Sequence, residues 1–462
     1  MPVPGLTRLV RETWRAGREC PEEAEARRRT LVRWLVTYAR DRSSFFRQRY
    51  ANLPADIGDL RILPPVTKRD LSENFDAWAT DPEVSRKTAE SFVADPCRIG
   101  KLYLGRYVAF STSGTTGSPV VLLQDPGAMA VYLALLIVRR LPALFSRNAL
   151  GPFARNLGRT ATIIATGGHF ASSVVDALVR SGHPRLYRRN RTYSLMEPVP
   201  VLVDALNEFR PAVVGSYPTA LAVLAEEQAA GRLRIAPALV LSGAERLTAP
   251  LASRIAASFG CPVRDTYAAS EFMGIAFDCR YGRLHVNADR VILEPVGADG
   301  QPVPPGQRSH TVLLTNLANL VQPLIRYDLG DSVTMLPDPC PCGSRLPGIR
   351  PEGRRDETLR IALPDGTSRP LLPLVLATVV EEAAGLMRYQ VLQTGPCRLT
   401  VRIGEAAGQD RAKVCSDVVH RLSGYLASQG LASVAVDLSD ERPRADTAGG
   451  KLRQFFVARN GS

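Results

Sequence analysis

A large multi-layer α/β domain followed by a small α+β domain on a linker is the architecture this sequence predicts. Three observations carry that reading. Between Tyr107 and Leu336, short apolar runs of strand length alternate with helical patterns, the mark of α/β layers around a largely parallel sheet. At Pro337–Arg355 the composition breaks into Pro, Cys, Gly and Arg, and a compact pattern of two helices and several strands follows to the end. A chain of 462 residues also exceeds what one hydrophobic core serves, so more than one domain is expected. The boundaries read from the sequence are 1–355 for the large domain, with 1–100 as a mainly helical cover, and 356–462 for the small one.

In order along the chain, residues 6–50 place apolar positions such as Leu31, Trp34, Leu35 and Tyr38 at helical spacing among Arg and Glu. Ala161–Ala165, Ala212–Gly215, Ala238–Ser242 and Val263–Thr266 read as buried strands. Val201–Phe209, Ala220–Gln228 and Ala249–Phe259 read as the helices that separate them. In the small domain Thr358–Leu363, Tyr389–Gln393, Arg398–Ile403 and Ser433–Leu438 read as strands, with Pro-Asp-Gly at 364–366 as a turn. Leu371–Ala384 and Asp410–Ser428 read as helices, and Val414, Val418, Leu422 and Tyr425 share one face of the second.

Hydrophobic residues make up 45% and charged residues 22%, the balance of a globular protein. The formal charge of +13 comes from arginine: only Lys68, Lys87, Lys101, Lys413 and Lys451 are lysines among the 58 basic residues. These arginines are scattered rather than gathered in a stripe, and the densest run, Arg185 to Arg191, is short, which argues against nucleic acid as a partner. The longest apolar stretches, Ala128–Val138 and Leu371–Val380, are roughly half a membrane span. The first residues carry no apolar signal core. Neither a membrane partner nor export is expected, and the protein reads as cytoplasmic. Its eight cysteines are then reduced, and those that cluster are metal candidates before disulfide candidates.

The first chemical signal is Ser111-Thr112-Ser113-Gly114-Thr115-Thr116-Gly117-Ser118-Pro119, directly after the apolar Tyr107–Phe110. Glycines allow a tight turn that presents N–H groups to phosphate oxygens, and the hydroxyls add donors. No Gly-Lys-Ser/Thr follows, so this is not a Walker A loop. Further on come Ser242-Gly243-Ala244-Glu245, Asp265-Thr266-Tyr267-Ala268-Ala269-Ser270-Glu271, Arg326-Tyr327-Asp328-Leu329-Gly330-Asp331, Gly353-Arg354-Arg355-Asp356 and Gly449-Gly450-Lys451-Leu452-Arg453. In this order the string resembles the acyl-adenylate-forming superfamily of acyl-CoA synthetases, luciferases and peptide-synthetase adenylation domains. The closest likeness is to its phenylacetate–CoA ligase and capsule-biosynthesis branch. The features are Ser270, the Gly-Ala-Glu turn, the lack of lysine after Pro119, and Cys340-Pro341-Cys342-Gly343-Ser344 before the hinge.

The resemblance implies a fold, an activity and a set of roles. The fold is the adenylate-forming ligase fold with a small, mobile C-terminal domain. The activity is ATP-dependent conversion of a carboxylic acid to its acyl-AMP, with the acyl group passed to an acceptor such as coenzyme A. Ser111, Thr112, Ser113, Gly114, Thr115, Thr116 and Gly117 would bind phosphate. Gly243, Ala244 and Glu245 would contact adenine, with Asp265, Tyr267 and Ser270 completing the nucleotide site. Asp331 would hold the ribose, and Glu271 would hold Mg2+. Lys451 and Arg354 would act on the reacting groups, and Asp356 would be the hinge.

Cys279 and His285, with Cys340 and Cys342, supply three thiols and an imidazole, a complete set for tetrahedral structural zinc. Cys340 and Cys342 are too close for an easy mutual disulfide, and Gly343 permits a sharp turn. The alternative is buried free thiols beside an unrelated histidine. Cys20, Cys97, Cys261, Cys397 and Cys415 read as small core residues.

The acid pocket is expected among Gly168, His169, Phe170, Tyr217, Pro218 and Ala268, where small residues beside aromatic ones suit a flat aromatic acid. The alternative is that Tyr217 and Phe170 are core and His169 a satisfied loop residue. The acceptor is open between coenzyme A, an amine and a carrier protein. Rival readings are an amide synthetase, an enzyme activating another oxyanion, and a nucleotide- or zinc-binding protein without turnover.

Overall fold

The computed structural model describes residues 5–111, 120–145, 147–166, 168–182, 188–245, 247, 249–352, 359–363, 367–371, 376, 379–380, 389–404, 410–444 and 455–458. The sequence readings at Thr112–Gly117, Arg354, Asp356, Lys451 and the turn at 364–366 lie outside these residues.

Residues 6–50 are helical as the periodicity predicts, in α1 (Leu6–Ala16), α2 (Pro21–Arg42) and α3 (Ser44–Arg49), and short helices continue beyond them in α4 (Lys68–Glu73), α5 (Phe75–Trp78) and α6 (Arg86–Ala94). Local chemistry sets their starts. Ser43 caps α3, Ser85 caps α6, and Thr67 with Asp70 forms a capping box that opens α4. The hairpin β1 (Val108–Ser111) and β2 (Val121–Gln124) follows, and then α7 (Pro126–Leu135).

The helical run of α7 extends to Leu144 through a π turn at Leu136–Arg140, and at 19 residues it is long and apolar enough to cross a membrane by length and composition. The apolar stretch read from the sequence is shorter because it stops before Arg139 and Arg140. Both arginines turn inward. Arg139 pairs with Asp289 at 2.6 Å, and Arg140 with Asp278 at 2.9 Å. The run also packs against α1, so it is tied to the protein at both of its arginines.

The main layer is a nine-stranded sheet in the order β13-β14-β9-β8-β7-β6-β5-β3-β4. Its parallel part comprises β3 (Thr160–Ile164), β4 (Asn190–Ser194), β5 (Val213–Ser216), β6 (Leu239–Gly243) and β7 (Val263–Ala269). Helices α8 (Arg147–Arg155), α9 (Ala171–Gly182), α10 (Val199–Phe209), α11 (Pro218–Ala229) and α12 (Ala249–Phe259) precede or connect these strands. The sheet is less uniformly parallel than the alternation implies. Antiparallel β8 (Phe272–Asp278) and β9 (Leu284–Val286) continue it. A second small sheet holds β10 (Val291–Val296), β11 (Thr311–Asn316) and β12 (Tyr327–Asp328), while β13 (Val333–Leu336) and β14 (Gly348–Pro351) close the far edge of the main one. Edge strand β4 was not legible as a strand. Its residues, Asn-Arg-Thr-Tyr-Ser, overlap the basic run, and there Arg191 and Arg159 stack on Phe209 with guanidinium carbons 4.7 and 5.8 Å from the ring centre.

The small unit holds the hairpin β15 (Leu359–Ala362) and β16 (Ser368–Leu371), and a sheet in the order β19-β18-β17-β20. These strands are β17 (Tyr389–Gly395), β18 (Arg398–Ile403), β19 (Ala435–Ser439) and β20 (Phe455–Val457), with α13 (Arg411–Ser428) packed on β19. Leu371 ends a strand and pairs with Leu359, which corrects its reading as the first residue of a helix; Leu376, Val379 and Val380 are helical.

Two cores result. One joins the cover, for example Phe46, Trp78 and Leu35, to β8–β12. The other joins the parallel strands and their helices to the small unit, from Ile163, Val214 and Val240 to Leu359, Val401, Val418 and Phe455.

Candidate functional site

In an open parallel sheet, ligands bind beyond the carboxyl ends of the strands, at the point where the chain reverses its direction of winding. Here that point lies between β3 and β5, because β4 is added on one side of β3 and β5, β6 and β7 on the other. The segments leaving β3, β5, β6 and β7 are those in which the sequence placed Gly168–Phe170, Tyr217–Pro218, Gly243–Glu245 and Tyr267–Glu271.

At the end of β7 the backbone bulges between Tyr267 and Ala269, and Ser270 and Glu271 form the tight turn into β8. Both carbonyls of that turn are tied down: Gln124 Nε2 donates to Ser270 O at 3.1 Å, and Asn316 Nδ2 to Glu271 O at 2.9 Å. Since Gln124 ends β2 and Ser111 pairs with Val121 at the base of the same hairpin, the Ser/Thr/Gly loop springs from a strand pair anchored to the Glu271 turn. Ser111 N also donates to His169 O at 2.8 Å.

Two tyrosines hold two carboxylates. Tyr327 donates its hydroxyl to Glu271 Oε1 at 3.1 Å, and Tyr267 donates to Asp331 Oδ2 at 2.9 Å. The second contact depends on a turn. Asp328 Oδ1 accepts from Gly330 N at 3.0 Å, and Gly330 takes φ +76, which only glycine adopts without strain. Asp331 is thereby brought back to Tyr267. Burial pushes the Glu271 carboxyl up and the negative charge of Asp331 adds to this, while Tyr327 and the ammonium of Lys68 oppose it.

At the end of β6, Gly243 lies so close to β7 that a Cβ there would be 3.3 Å from Thr266 O, and Ala244 takes φ +67 in an exposed turn. Glu245 is near enough to Tyr217 for its charge to raise that phenol, after burial, the larger cause. Asp265, beside Ser242 on the neighbouring strand, is pushed up to about 6, chiefly by burial. Behind it Arg140 donates to Asp265 O and to Thr266 Oγ1 (2.6 Å), and its guanidinium carbon lies 4.9 Å from the Phe277 ring centre.

The expected acid pocket divides in two. Tyr217 and Pro218 open α11 and are buried, and the Tyr217 hydroxyl lies 3.5 Å from Ser172 Oγ. Gly168 is required by Phe170: a Cβ at 168 would be 2.7 Å from that ring. His169 is 3% exposed and its ring lies 5.7 Å from that of Phe92 on α6. The imidazole therefore packs against the helical cover, and its buried Nε2 has no hydrogen-bond partner, so it is not the satisfied loop residue of the alternative reading. Ala268 is partly buried in the bulge.

Cys279, His285, Cys340 and Cys342 come together as the sequence predicts, with all four donor atoms within 4.8 Å of one another. Cys279 closes the β8–β9 turn and His285 lies on β9, while Cys340–Gly343 turns tightly through Gly343 at φ +82. The Sγ atoms of Cys279 and Cys340 are 3.6 Å apart, and Cys342 Sγ is 3.4 Å from His285 Nε2. A zinc tetrahedron with about 2.3 Å Zn–S bonds has edges of about 3.8 Å, so these spacings suit it. His285 Nδ1 lies 3.0 Å from Leu346 O, which fixes the tautomer that leaves Nε2 to ligate. The remaining thiols are less uniform than expected: Cys97 is exposed rather than core, and Cys20, Cys261, Cys397 and Cys415 are partly buried.

Two residues of the site, Tyr327 and Arg140, carry no role that their sequence context predicts. The only signal for Arg140 was a pair of arginines ending an apolar run.

No protein-family model matches the chain. It is 24% identical over 357 residues to the phenylacetate–coenzyme A ligase of Pseudomonas putida, covering 71% of this chain and 70% of that one. It is 27% identical over 135 residues to Protein CapK of Staphylococcus aureus, covering 29% of this chain and 28% of CapK. Among solved structures, 2-hydroxyisobutyryl-CoA ligase in complex with 2-HIB-AMP and CoA in its thioesterification state superposes with a TM-score of 0.58 at 19% identity, covering 96% of this chain and 92% of that one. The same ligase in its postadenylation state gives 0.54 at 18% identity, covering 96% and 90%.

Proposed function

We propose that this chain, which has the fold of the acyl-adenylate-forming ligases, activates a carboxylic acid with ATP to form acyl-AMP and pyrophosphate, and then transfers the acyl group to a thiol such as coenzyme A. The observation that carries the reading is the pair of tyrosine-held carboxylates, Tyr327–Glu271 and Tyr267–Asp331, at the carboxyl edge of the parallel sheet, beside the hairpin that bears the hydroxyl- and glycine-rich loop.

The acid is ionised at neutral pH and needs no general base. The barrier is the approach of one anion to the α-phosphorus of another, so rate comes from fixed dipoles and positive charge placed where negative charge develops. Loop 111–117 would offer N–H and hydroxyl donors to the phosphates. Asp331, already oriented by Tyr267, would accept from the ribose hydroxyls. Glu271 fits a hard cation: its partly buried carboxylate has one hydroxyl partner at 3.1 Å and lies where burial raises the cost of an uncompensated charge. Mg2+ held there would neutralise phosphate charge. Lys451 and Arg354 would act at the α-phosphate and carboxylate, delivered by a small domain that moves about Asp356. Phe170 and Tyr217 favour a flat, aromatic acid. The reading of the acceptor as coenzyme A is supported by the two coenzyme A ligases it resembles, one by sequence and one by fold.

The Cys3His cluster is proposed as a structural zinc site, which a reducing cytoplasm would keep as thiols ready to ligate. ATP–pyrophosphate exchange against a panel of aromatic, aliphatic and amino acids, with Mg2+ and without acceptor, tests the reading. Exchange that depends on one acid class is expected. A folded, ATP-binding protein that exchanges with no acid would refute it.

A further inference from the structure

The segments proposed to contact the nucleotide are held from behind at two places. One is the helical cover. Val66 forms a parallel bridge with Tyr327: Val66 N donates to Arg326 O at 3.0 Å, and Asp328 N to Val66 O at 2.8 Å. The other is Arg140, whose placement asks for more explanation.

A guanidinium only 4% exposed is costly unless its donors are met. Arg140 Nη1 donates to Asp278 Oδ1 at 2.9 Å, while Nη2 donates to Thr266 Oγ1 at 2.6 Å and to Asp265 O. Anchoring the apolar run that bears it calls for one ion pair, and Arg139 already supplies that through Asp289. The second arm of Arg140 goes instead to two consecutive residues of β7, the two that lead into Tyr267.

That strand end needs a support of its own. The ladder from β7 to β8 slips out of register between Tyr267 and Ala269, so pairing fixes the end of β7 less firmly than its middle. Asp265 Oδ1 is buried with no hydrogen-bond partner, an acceptor that a donor on a bound nucleotide would satisfy. Arg140 also closes the π turn Leu136–Arg140, a rare distortion of a helix that recurs at functional sites.

We propose that Arg140 is a positioning residue for the adenosine half of the nucleotide. By gripping Asp265 and Thr266 it fixes the backbone from which Asp265 and Tyr267 are presented, acting through the strand rather than on the nucleotide. Tyr267 in turn donates to Asp331, so the grip extends to the carboxylate proposed to hold the ribose. The inference rests on the adenylation reading and deepens it by giving the two halves of the nucleotide separate supports. The phosphates are assigned to the loop carried by β1 and β2, a different element.

Calorimetric titration with AMP and with Mg-pyrophosphate tests this. Arg140→Lys keeps a charge beside Asp278 but lacks the fork that spans both partners. It should weaken AMP roughly 10-fold, the scale of one hydrogen bond, and leave pyrophosphate within about twofold of wild type. Thr266→Val removes one hydroxyl and leaves the ion pair in place; it should weaken AMP in the same selective way, and Thr266→Ser should bind AMP as wild type does. Combining Arg140→Lys with Thr266→Val should cost less than the sum of the two losses, because both break one contact. Unchanged AMP binding in the two single variants, equal losses for AMP and pyrophosphate, or fully additive losses overturn the proposal, since a merely structural arginine lowers the melting temperature without that selectivity. Should Arg140→Lys not fold, the contrast between Thr266→Val and Thr266→Ser decides alone. A wild-type protein that binds neither ligand would instead refute the adenylation reading, and this inference with it.

Discussion

Asp265 shows what the edge of this sheet demands of single residues. Its carboxyl is pushed from the ordinary 3.8 to about 6 because burial outweighs its contacts with Ser242 and Arg140, while Asp278 pushes the same way as burial. Between those two values the folded protein binds the proton more tightly than the unfolded chain does, so stability falls as pH rises through that window and levels off above about pH 6. Asp265→Asn should abolish this dependence. Denaturant melts at pH 4.0 and 6.5 should show wild type losing as much as roughly 3 kcal/mol relative to the variant across the window; parallel curves for the two proteins would show that the shift is absent. At this scale the sequence was legible for identity and much less so for partnership. Glu271, Asp331 and Tyr267 stand out in their motifs. Nothing in the string tells that Tyr267 bonds to Asp331, or Tyr327 to Glu271, because each pair is separated by more than fifty residues and is joined only by packing. His169 looked like pocket lining for the same reason: its neighbour Phe92 lies on a distant helix.

Secondary elements were legible where they carry their own boundary signals. Ala249–Phe259 and Arg398–Ile403 form with the bounds the sequence predicts, the first with its Pro-containing start and the second with its apolar alternation. Strand β4 escaped because an edge strand with a solvated face needs no apolar run, and Leu371 was misassigned because a short apolar stretch fits helix and strand alike. The Cys3His cluster joins elements that the main sheet also pairs through β9 and β14. It connects the β8–β9 turn to segment 340–346, which runs on into β14. Protein purified without added zinc should contain about one zinc per chain. Cys342→Ser should lose most of it and melt several degrees lower, read by plasma emission and calorimetry. Undiminished metal content in that variant would break the ligand set.

Across the whole molecule, the two cores divide the labour differently from the predicted boundary at 355–356. The helical cover shares its core with the antiparallel half of the main sheet, and the parallel half shares its core with the small unit. Yet the seam at the small unit is incompletely filled. A cavity remains there between Leu195, Leu202 and Leu224 on one side and Leu371, Tyr425 and Leu431 on the other. One polar contact there, Gln429 Nε2 to Glu197 O, is long at 3.3 Å. An interface with such a void gives up less on separation than a packed core does, which suits a domain proposed to swing. If that swing delivers Lys451, Lys451→Ala should lose at least about a hundredfold in adenylation rate, the scale of a lost transition-state donor, while ATP affinity and the melting temperature stay near wild type. Wild-type-like exchange would remove the lysine from the reaction. The bridge from Val66 to Tyr327 has a last consequence, for how the protein can be taken apart. The cover looks like a detachable jacket in the sequence, but it is hydrogen-bonded to the backbone that carries Tyr327 and leads on to Asp331. Grafting this cover onto a relative, or trimming it in search of a minimal catalyst, would therefore disturb the proposed nucleotide site, and the first hundred residues must be exchanged together with the Arg326–Asp331 segment or left in place.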